Sequence, residues 1–159
     1  LEGFFNLIYP DDPSIWRTHF GPVKAMETYL LSGKPLPPPS WFAPEEKKIQ
    51  YEGIRDLDLT GPFSYYSAYI LGAQSEDAKG VPSSRYTLTL PVFFGAALDD
   101  YISLPSIGRD MTSRFCTNEK NKVHEFKANH WVHLQTPDEV NEALFDWFKS
   151  LDVGTDGEM

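Results

Sequence analysis

Two acids and one histidine follow consecutive strand candidates in the second half of the chain. Asp99 and Asp100 come after the apolar run at residues 92–94, and His130 comes after a short candidate at residues 121–126, in which Val123 and Phe126 are apolar. In a parallel sheet, the residues just beyond the carboxyl ends of neighbouring strands gather at one edge. A carboxylate there can orient an imidazole and stabilise its charged form, so that the imidazole takes a proton from water. The order of these residues therefore predicts an acid–histidine pair that acts as a general base.

The elements that must position this pair alternate between strand and helix patterns. Residues 92–94 predict a buried strand, residues 105–115 a helix with apolar residues at every fourth position, and residues 121–126 a second strand. Thr136, Pro137 and Glu139 have the pattern of a capping box at the start of a last helix. Its apolar stripe consists of Val140, Leu144, Trp147, Phe148 and Leu151. This alternation predicts parallel strands in an α/β sheet.

The first half of the chain is rich in proline and aromatic residues and predicts short helices joined by loops. Pro22 is suited to the first position of one helix, Pro44 opens another, and a further helix begins at Gly61. A polar stretch then separates the two halves. We therefore predict a helical region at residues 1–82 and an α/β core segment at residues 83–159.

The composition excludes several classes of protein. The chain has 159 residues with 14 Lys+Arg against 23 Asp+Glu, a formal charge of −9, and its 41% of apolar residues suffices for a core. Scattered cations in an acidic chain make nucleic acid and membrane surfaces poor partners. No apolar run is long enough for a membrane helix and no signal-peptide pattern is present. Cys116 is the one cysteine, which fits a reducing compartment, and we predict a cytoplasmic protein.

Two segments resemble the carboxy-terminal half of soluble epoxide hydrolases, particularly the fungal type, in the α/β-hydrolase superfamily. Residues 90–105 read LPVFFGAALDDYISLP, and residues 124–141 read HEFKANHWVHLQTPDEVN. Residues 7–13, LIYPDDP, and residues 61–66, GPFSYY, resemble parts of the helical cap of that family. The resemblance implies an α/β-hydrolase fold fragment, in which a helical cap precedes the last two strand-helix units of a parallel sheet.

The resemblance also implies a reaction and roles for individual residues. In the family, an Asp nucleophile opens the epoxide to an ester, cap tyrosines donate hydrogen bonds to the epoxide oxygen, and a His–acid pair activates the water that cleaves the ester. Asp100 matches the acid, His130 the histidine and Tyr66 a cap tyrosine, with Asp99 and Tyr65 as neighbouring alternatives. An acid followed by a histidine is also the order found in α/β-hydrolases. The expected product is a vicinal diol, and neither a cofactor nor a metal is required.

Three features depart from the pattern of the family. Asn129 stands where the family usually has Gly before the histidine, and asparagine is the non-glycine residue best suited to the left-handed backbone that we expect there. The second cap tyrosine is expected upstream of Leu1. A nucleophile elbow, Gly-x-Asp-x-Gly or Gly-x-Ser-x-Gly, does not occur in the sequence. We therefore expect an upstream segment or a second polypeptide to carry the nucleophile, and this chain alone to be inactive.

Ordinary structural roles are the alternatives for each of these residues. Asp99 and Asp100 would suit a solvated turn, His130 a structural histidine, and the tyrosines of residues 65–69 a packed core. The sequence disfavours a metal site at His133, because no second histidine or acid has the spacing of a helical ligand pair.

Cys116 is predicted to be a small core residue on the apolar side of a helix rather than a nucleophile.

Other functions are also compatible with the sequence. A dehalogenase or an esterase would use the same acid and histidine on the same scaffold. A truncated, non-catalytic module that binds a ligand or a partner is the alternative from outside the enzymes.

Overall fold

The structure, a computed structural model, describes residues 1–151. Its helices are α1 (Glu2–Ile8), α2 (Trp16–His19), α3 (Ala25–Leu31), α4 (Pro44–Asp56), α5 (Thr60–Ile70), α6 (Ala73–Ala78), α7 (Pro105–Phe115), α8 (Val132–Gln135) and α9 (Pro137–Ser150). Its strands are β1 (Phe93–Ala97) and β2 (Lys122–Phe126). Short 3₁₀ turns lie at Pro13–Ile15 and Ser83–Tyr86. Within this part of the chain, none of the helices has the length and apolar character needed to cross a membrane.

The chain divides into two compact units. The first consists of Leu1–Phe42 together with the chain from Leu88 onward, and the second of Ala43–Thr87. The first unit thus contains residues from both sides of the boundary that the sequence predicts after residue 82. The assignment of a cap and a core stays a prediction.

The two strands form the predicted parallel sheet in the first unit. Phe94 on β1 pairs with Val123 on β2, and the register runs from Phe93 opposite Lys122 to the ends of both strands. The helix α7 connects the strands, as a parallel pair requires a crossover. The chain is therefore mixed α/β, with the predicted order of strand, helix, strand and helix.

Helices cover both faces of this sheet. Neighbouring residues of a strand point to opposite faces. The Phe93 ring lies 5.5 Å from the ring of Trp147 on α9, whereas the Phe94 ring lies against Gly108 on α7, where a Cβ atom would overlap with it. Three layers result, with α7 on one face of the sheet and α9 on the other.

A small apolar cluster organises the first part of this unit. Leu7, Trp16 and Tyr29 are its buried members. The helix expected to begin at Pro22 begins instead at Ala25, because the Ala25 N–H donates to the Pro22 carbonyl and closes a turn. The prediction that Pro22 takes the first helical position is therefore wrong.

The last helix, α9, has the predicted position but not the predicted cap. Thr136 is its N-cap residue, yet the side chain makes no capping hydrogen bond. The Thr136 hydroxyl donates instead to the Val132 carbonyl at 3.1 Å, because α8 ends immediately before α9 and presents that acceptor. The capping-box prediction is therefore wrong, although Pro137 does start the helix.

The second unit is built from α4, α5, α6 and the turn at Ser83–Tyr86. Pro44 starts α4 as predicted, with Glu45 and Glu46 in the first turn, where the positive end of the helix dipole stabilises acids. The side chains of Tyr65, Tyr66 and Tyr69 on α5 are more than half exposed. The tyrosines therefore do not form a buried core.

Candidate active site

The carboxyl ends of β1 and β2 bring two loops together. Ala97, the last residue of β1, lies opposite Phe126, the last residue of β2. The pairing continues beyond the strands, since the Asp99 N–H donates to the Ala128 carbonyl at 3.0 Å. The residues that follow on the two loops therefore start from adjacent points of one sheet edge.

Asp100 and His130 meet at this edge. The Asp100 Oδ2 atom lies 2.8 Å from the His130 Nδ1 atom. The side chain of Asp100 is 6% exposed and that of His130 is 33% exposed, so the acid is buried and the imidazole reaches the surface. The carboxylate on the imidazole belongs to Asp100 and not to its neighbour Asp99. The structure thus places two of the predicted residues in contact, while their catalytic roles stay predictions.

Asp100 is fixed by the backbone that follows it. Its Oδ1 atom accepts hydrogen bonds from the N–H groups of Ile102 and Ser103, both at 2.9 Å. Burial alone would raise the pKa of Asp100, but the hydrogen bond from His130 and those from the two N–H groups outweigh it and hold the pKa below its usual value. Asp100 is therefore ionised at neutral pH.

The ionised acid determines where the histidine carries its proton. A carboxylate only accepts hydrogen bonds, so the proton between Asp100 and His130 belongs to Nδ1. The lone pair of the neutral imidazole is then on Nε2, which has no hydrogen-bond partner among residues 1–151. In this arrangement, the histidine can remove a proton from water and keep the resulting charge beside a fixed carboxylate.

Asn129 holds the loop that carries the histidine. Its Oδ1 atom accepts from the Trp131 N–H at 2.9 Å, and its own N–H donates to the Gln135 Oε1 atom at 2.7 Å. The backbone of Asn129 is not left-handed, so the prediction that it takes a glycine-like conformation is wrong. The turn is set instead by the side-chain hydrogen bond that spans His130.

Two tryptophan rings that the sequence reasoning missed flank His130. The Trp16 ring centroid lies 5.3 Å from that of the imidazole, with an angle of 61° between the ring planes. The Trp131 centroid lies 5.1 Å from the imidazole centroid, with an angle of 88° between the planes. Trp131 adjoins the histidine in the sequence, whereas no motif or spacing connects Trp16 with it. Trp16 is identified only by the structure, in which it is buried, at 4% exposed.

Tyr66, the third predicted site residue, lies on α5 in the second unit. Its side chain is 59% exposed, and its ring contacts those of Tyr65 and Phe63. Tyr65, the neighbouring alternative, is exposed to a similar extent. The roles of both tyrosines stay predictions.

The other residues considered for chemistry have structural surroundings. The His124 Nε2 atom lies 3.8 Å from a carboxylate oxygen of Glu139, and His133 is exposed on α8. No group of three or more His, Cys, Asp or Glu side chains in residues 1–151 is arranged to hold a metal ion. Cys116 is half-buried at the end of α7, where its extended backbone pairs with Leu88. The prediction that Cys116 lies on the apolar side of the helix is therefore wrong.

A cavity of about 430 Å³ lies elsewhere in the first unit. Its lining includes His19, Lys24 and Lys34 but neither Asp100 nor His130. The acid–histidine pair is therefore separate from this cavity.

Comparisons with known proteins identify no relative of this chain, so a functional proposal depends on the geometry of the pair. No family model, no curated protein and no solved structure matches the chain. The resemblance to epoxide hydrolases therefore stays a hypothesis.

Proposed function

We propose that this chain supplies the acid, the base and one tyrosine of an epoxide hydrolase of the α/β-hydrolase type. Asp100 and His130 are the acid and the base, and Tyr66 is the tyrosine that protonates the epoxide oxygen. The nucleophilic aspartate lies on an upstream segment or a second polypeptide. The reaction adds water to an epoxide and releases a vicinal diol, with no cofactor.

One observation carries this proposal: the buried, ionised Asp100 lies 2.8 Å from Nδ1 of a partly exposed histidine. The pair sits just beyond the ends of two parallel strands, where functional groups gather in α/β sheets. The loop residues around it resemble those of epoxide hydrolases, and this resemblance is the reason for proposing an epoxide as the substrate.

The first step forms an ester. The nucleophilic carboxylate attacks an epoxide carbon, the carbon–oxygen bond of the ring breaks, and the oxygen leaves as an alkoxide. The Tyr66 phenol donates its proton to that oxygen, because an alkoxide is strongly basic and leaves far more readily as an alcohol. The enzyme now holds a hydroxyalkyl ester.

The second step hydrolyses the ester, and here the pair acts. The His130 Nε2 atom takes a proton from water, and the hydroxide attacks the ester carbonyl. Asp100 stabilises the imidazolium through the Nδ1 hydrogen bond. The tetrahedral intermediate collapses, and the proton of the added hydroxyl passes to the departing alkoxide oxygen, which releases the diol and restores the carboxylate. The imidazolium returns its proton to the tyrosinate.

The sheet supports a second segment as the partner. With two strands in the described part of the chain, each strand has one edge without a neighbour, and unpaired strand edges favour association with another strand. Ile107 and Met111 on α7 are also 54% and 43% exposed.

We expect the complete protein, which includes the segment with the nucleophile, to be cytoplasmic.

The test is to trap the ester. In the complete protein, His130→Ala leaves the attack on the epoxide intact but removes the base for the second step. Intact-mass measurement after mixing with styrene oxide is expected to show one stoichiometric adduct, with diol formation lowered about 10²- to 10⁴-fold. His133→Ala, a histidine exposed on α8, is the matched control and should turn over normally. Normal turnover in His130→Ala, or ordinary activity of this chain alone, would contradict the proposal.

The rival enzymes on this scaffold differ from it at Tyr66. A dehalogenase expels a halide, which needs no proton from a tyrosine, and an esterase acts on an acyl group. An unchanged rate of epoxide opening in Tyr66→Phe would favour these enzymes. A stable monomer of this chain in native mass spectrometry of the protein from its source cells, with no second polypeptide, would favour a binding module.

A further inference from the structure

The two indoles that flank His130 are anchored on neighbouring carbonyl groups. The Trp16 Nε1–H donates to the Leu7 carbonyl at 2.6 Å, and the Trp131 Nε1–H donates to the Ile8 carbonyl at 2.7 Å. Both carbonyls belong to the last turn of α1, where a helix leaves its acceptors without intrahelical partners. The end of α1 therefore anchors both of the indoles that contact the imidazole.

These anchors are rigid. Leu7 is fully buried and Trp16 nearly so. The Trp131 ring packs against the Tyr9 ring, with 4.7 Å between the two ring centroids. An indole that is both packed and hydrogen-bonded has little freedom to turn. The positions of the two rings are therefore set by the fold and not by the histidine.

We propose that Trp16 and Trp131 form an aromatic clamp that positions His130, and that both are positioning residues for its reaction. The hydrogen bond to Asp100 fixes one atom of the imidazole, Nδ1, and leaves rotation about that contact open. Ring contacts at 61° and 88° restrict this rotation, so that Nδ1 stays on the carboxylate and Nε2 stays available. A misplaced base transfers protons slowly even when its partner acid is intact.

The catalytic part of this inference rests on the proposed function, whereas the effect on the imidazole does not. Without the clamp, the imidazole can turn away from Asp100, and the proton then distributes between Nδ1 and Nε2. Nitrogen-15 NMR of a histidine-labelled chain reports the fraction of each tautomer directly. No substrate is needed for that measurement.

The test compares Trp16→Phe with Trp41→Phe. The first variant keeps an aromatic ring but loses the N–H that anchors it on Leu7. Trp41 is the matched control, because its Nε1–H also donates to a backbone carbonyl, that of Pro10 at 3.1 Å, while its ring stacks on Phe42. Any general effect of replacing a hydrogen-bonded indole by a phenyl ring is thus shared by both variants.

We expect the Nε2–H tautomer of His130 to rise at least about threefold in Trp16→Phe at pH above 7.5, and to stay at the wild-type level in Trp41→Phe. In the complete enzyme, the lifetime of the ester from styrene oxide should lengthen about tenfold, with KM unchanged. Trp131→Phe removes the other anchor and carries the same expectation if Trp16→Phe does not fold.

Equal tautomer fractions in the Trp16, Trp131 and Trp41 variants would overturn the clamp. A changed tautomer without any epoxide turnover in the wild-type complete protein would retain the clamp and contradict the proposed function. A changed tautomer with an unchanged ester lifetime would remove the clamp from catalysis.

Discussion

The acid–histidine edge of the first unit and the tyrosine helix α5 of the second hold their candidate groups in different ways. Asp100 is buried, accepts three hydrogen bonds and contacts His130. Tyr66 is more than half exposed and contacts the rings of Tyr65 and Phe63. The contact between Asp100 and His130 is thus assembled by one unit from its own strands and loops, whereas Tyr66 contacts neighbouring rings of its own helix and is largely exposed.

The largest expected effect concerns the edge of the sheet. Asp100→Asn removes the charge that stabilises the imidazolium and admits the wrong tautomer of His130. We expect kcat for styrene oxide in the complete protein to fall about 10³- to 10⁴-fold. Asp99→Asn, one residue earlier, should stay close to wild type in the same steady-state assay. Equal losses in both variants would show that the loop as a whole matters and not the pair.

The corresponding change on α5 should cost less. Tyr66→Phe removes the phenolic proton donor but leaves the nucleophile and the pair intact, so we expect ester formation to slow about 10²- to 10³-fold. Stopped-flow measurement of the first turnover separates this step from ester hydrolysis. Tyr65→Phe is the control on the same helix. If Tyr65→Phe has the larger effect, the roles of the two tyrosines are exchanged.

Two glycines test how tightly each unit is packed. Gly108→Ala places a methyl group on the Phe94 ring, and we expect a loss of about 1–3 kcal/mol in unfolding free energy. Gly53 lies in α4 of the second unit with nothing within 4 Å of the added Cβ, so Gly53→Ala should stabilise by about 0.5–1 kcal/mol. Urea denaturation followed by circular dichroism measures both. The same sign for both changes would contradict the difference in packing.

The smallest expected effect is the pH dependence of stability. The pKa of Asp100 is lower in the folded chain than in the unfolded one, so between the two values the unfolded chain binds more protons. The contribution of Asp100 is therefore complete above the unfolded pKa, about 3.9, and is lost as pH falls through the lower folded value. Urea midpoints from pH 6 to pH 3 should fall more steeply for wild type than for Asp100→Asn. Parallel curves would show that Asp100 gains nothing from its hydrogen bonds.

Much of the first unit could be predicted because its signals are local. The apolar run before and within β1, the apolar Val123 and Phe126 of β2 and the stripe of α9 identify their elements without tertiary information. The contact between Asp100 and His130 also follows, since neighbouring parallel strands end at one edge and both residues stand just beyond those ends. Two local signals and one rule of sheet geometry were sufficient.

The parts that could not be predicted depend on contacts between distant residues or on competing hydrogen-bond partners. Trp16 reaches His130 only because α1 presents the Leu7 carbonyl to its indole. As a cap, the Thr136 hydroxyl would accept from an N–H of the first turn of α9, but it donates instead to the Val132 carbonyl of α8. Asn129 needed no left-handed backbone, because its side chain makes the turn.

The most direct test of the central claim is a single turnover of styrene oxide by the complete protein in ¹⁸O-labelled water. If water activated by His130 attacks an ester carbonyl, the oxygen gained by the first diol comes from the enzyme carboxylate. We therefore predict unlabelled diol and one ¹⁸O atom in the nucleophilic aspartate, both read by mass spectrometry. Labelled diol with an unlabelled enzyme would mean that water attacks the epoxide directly, and would contradict the proposed function.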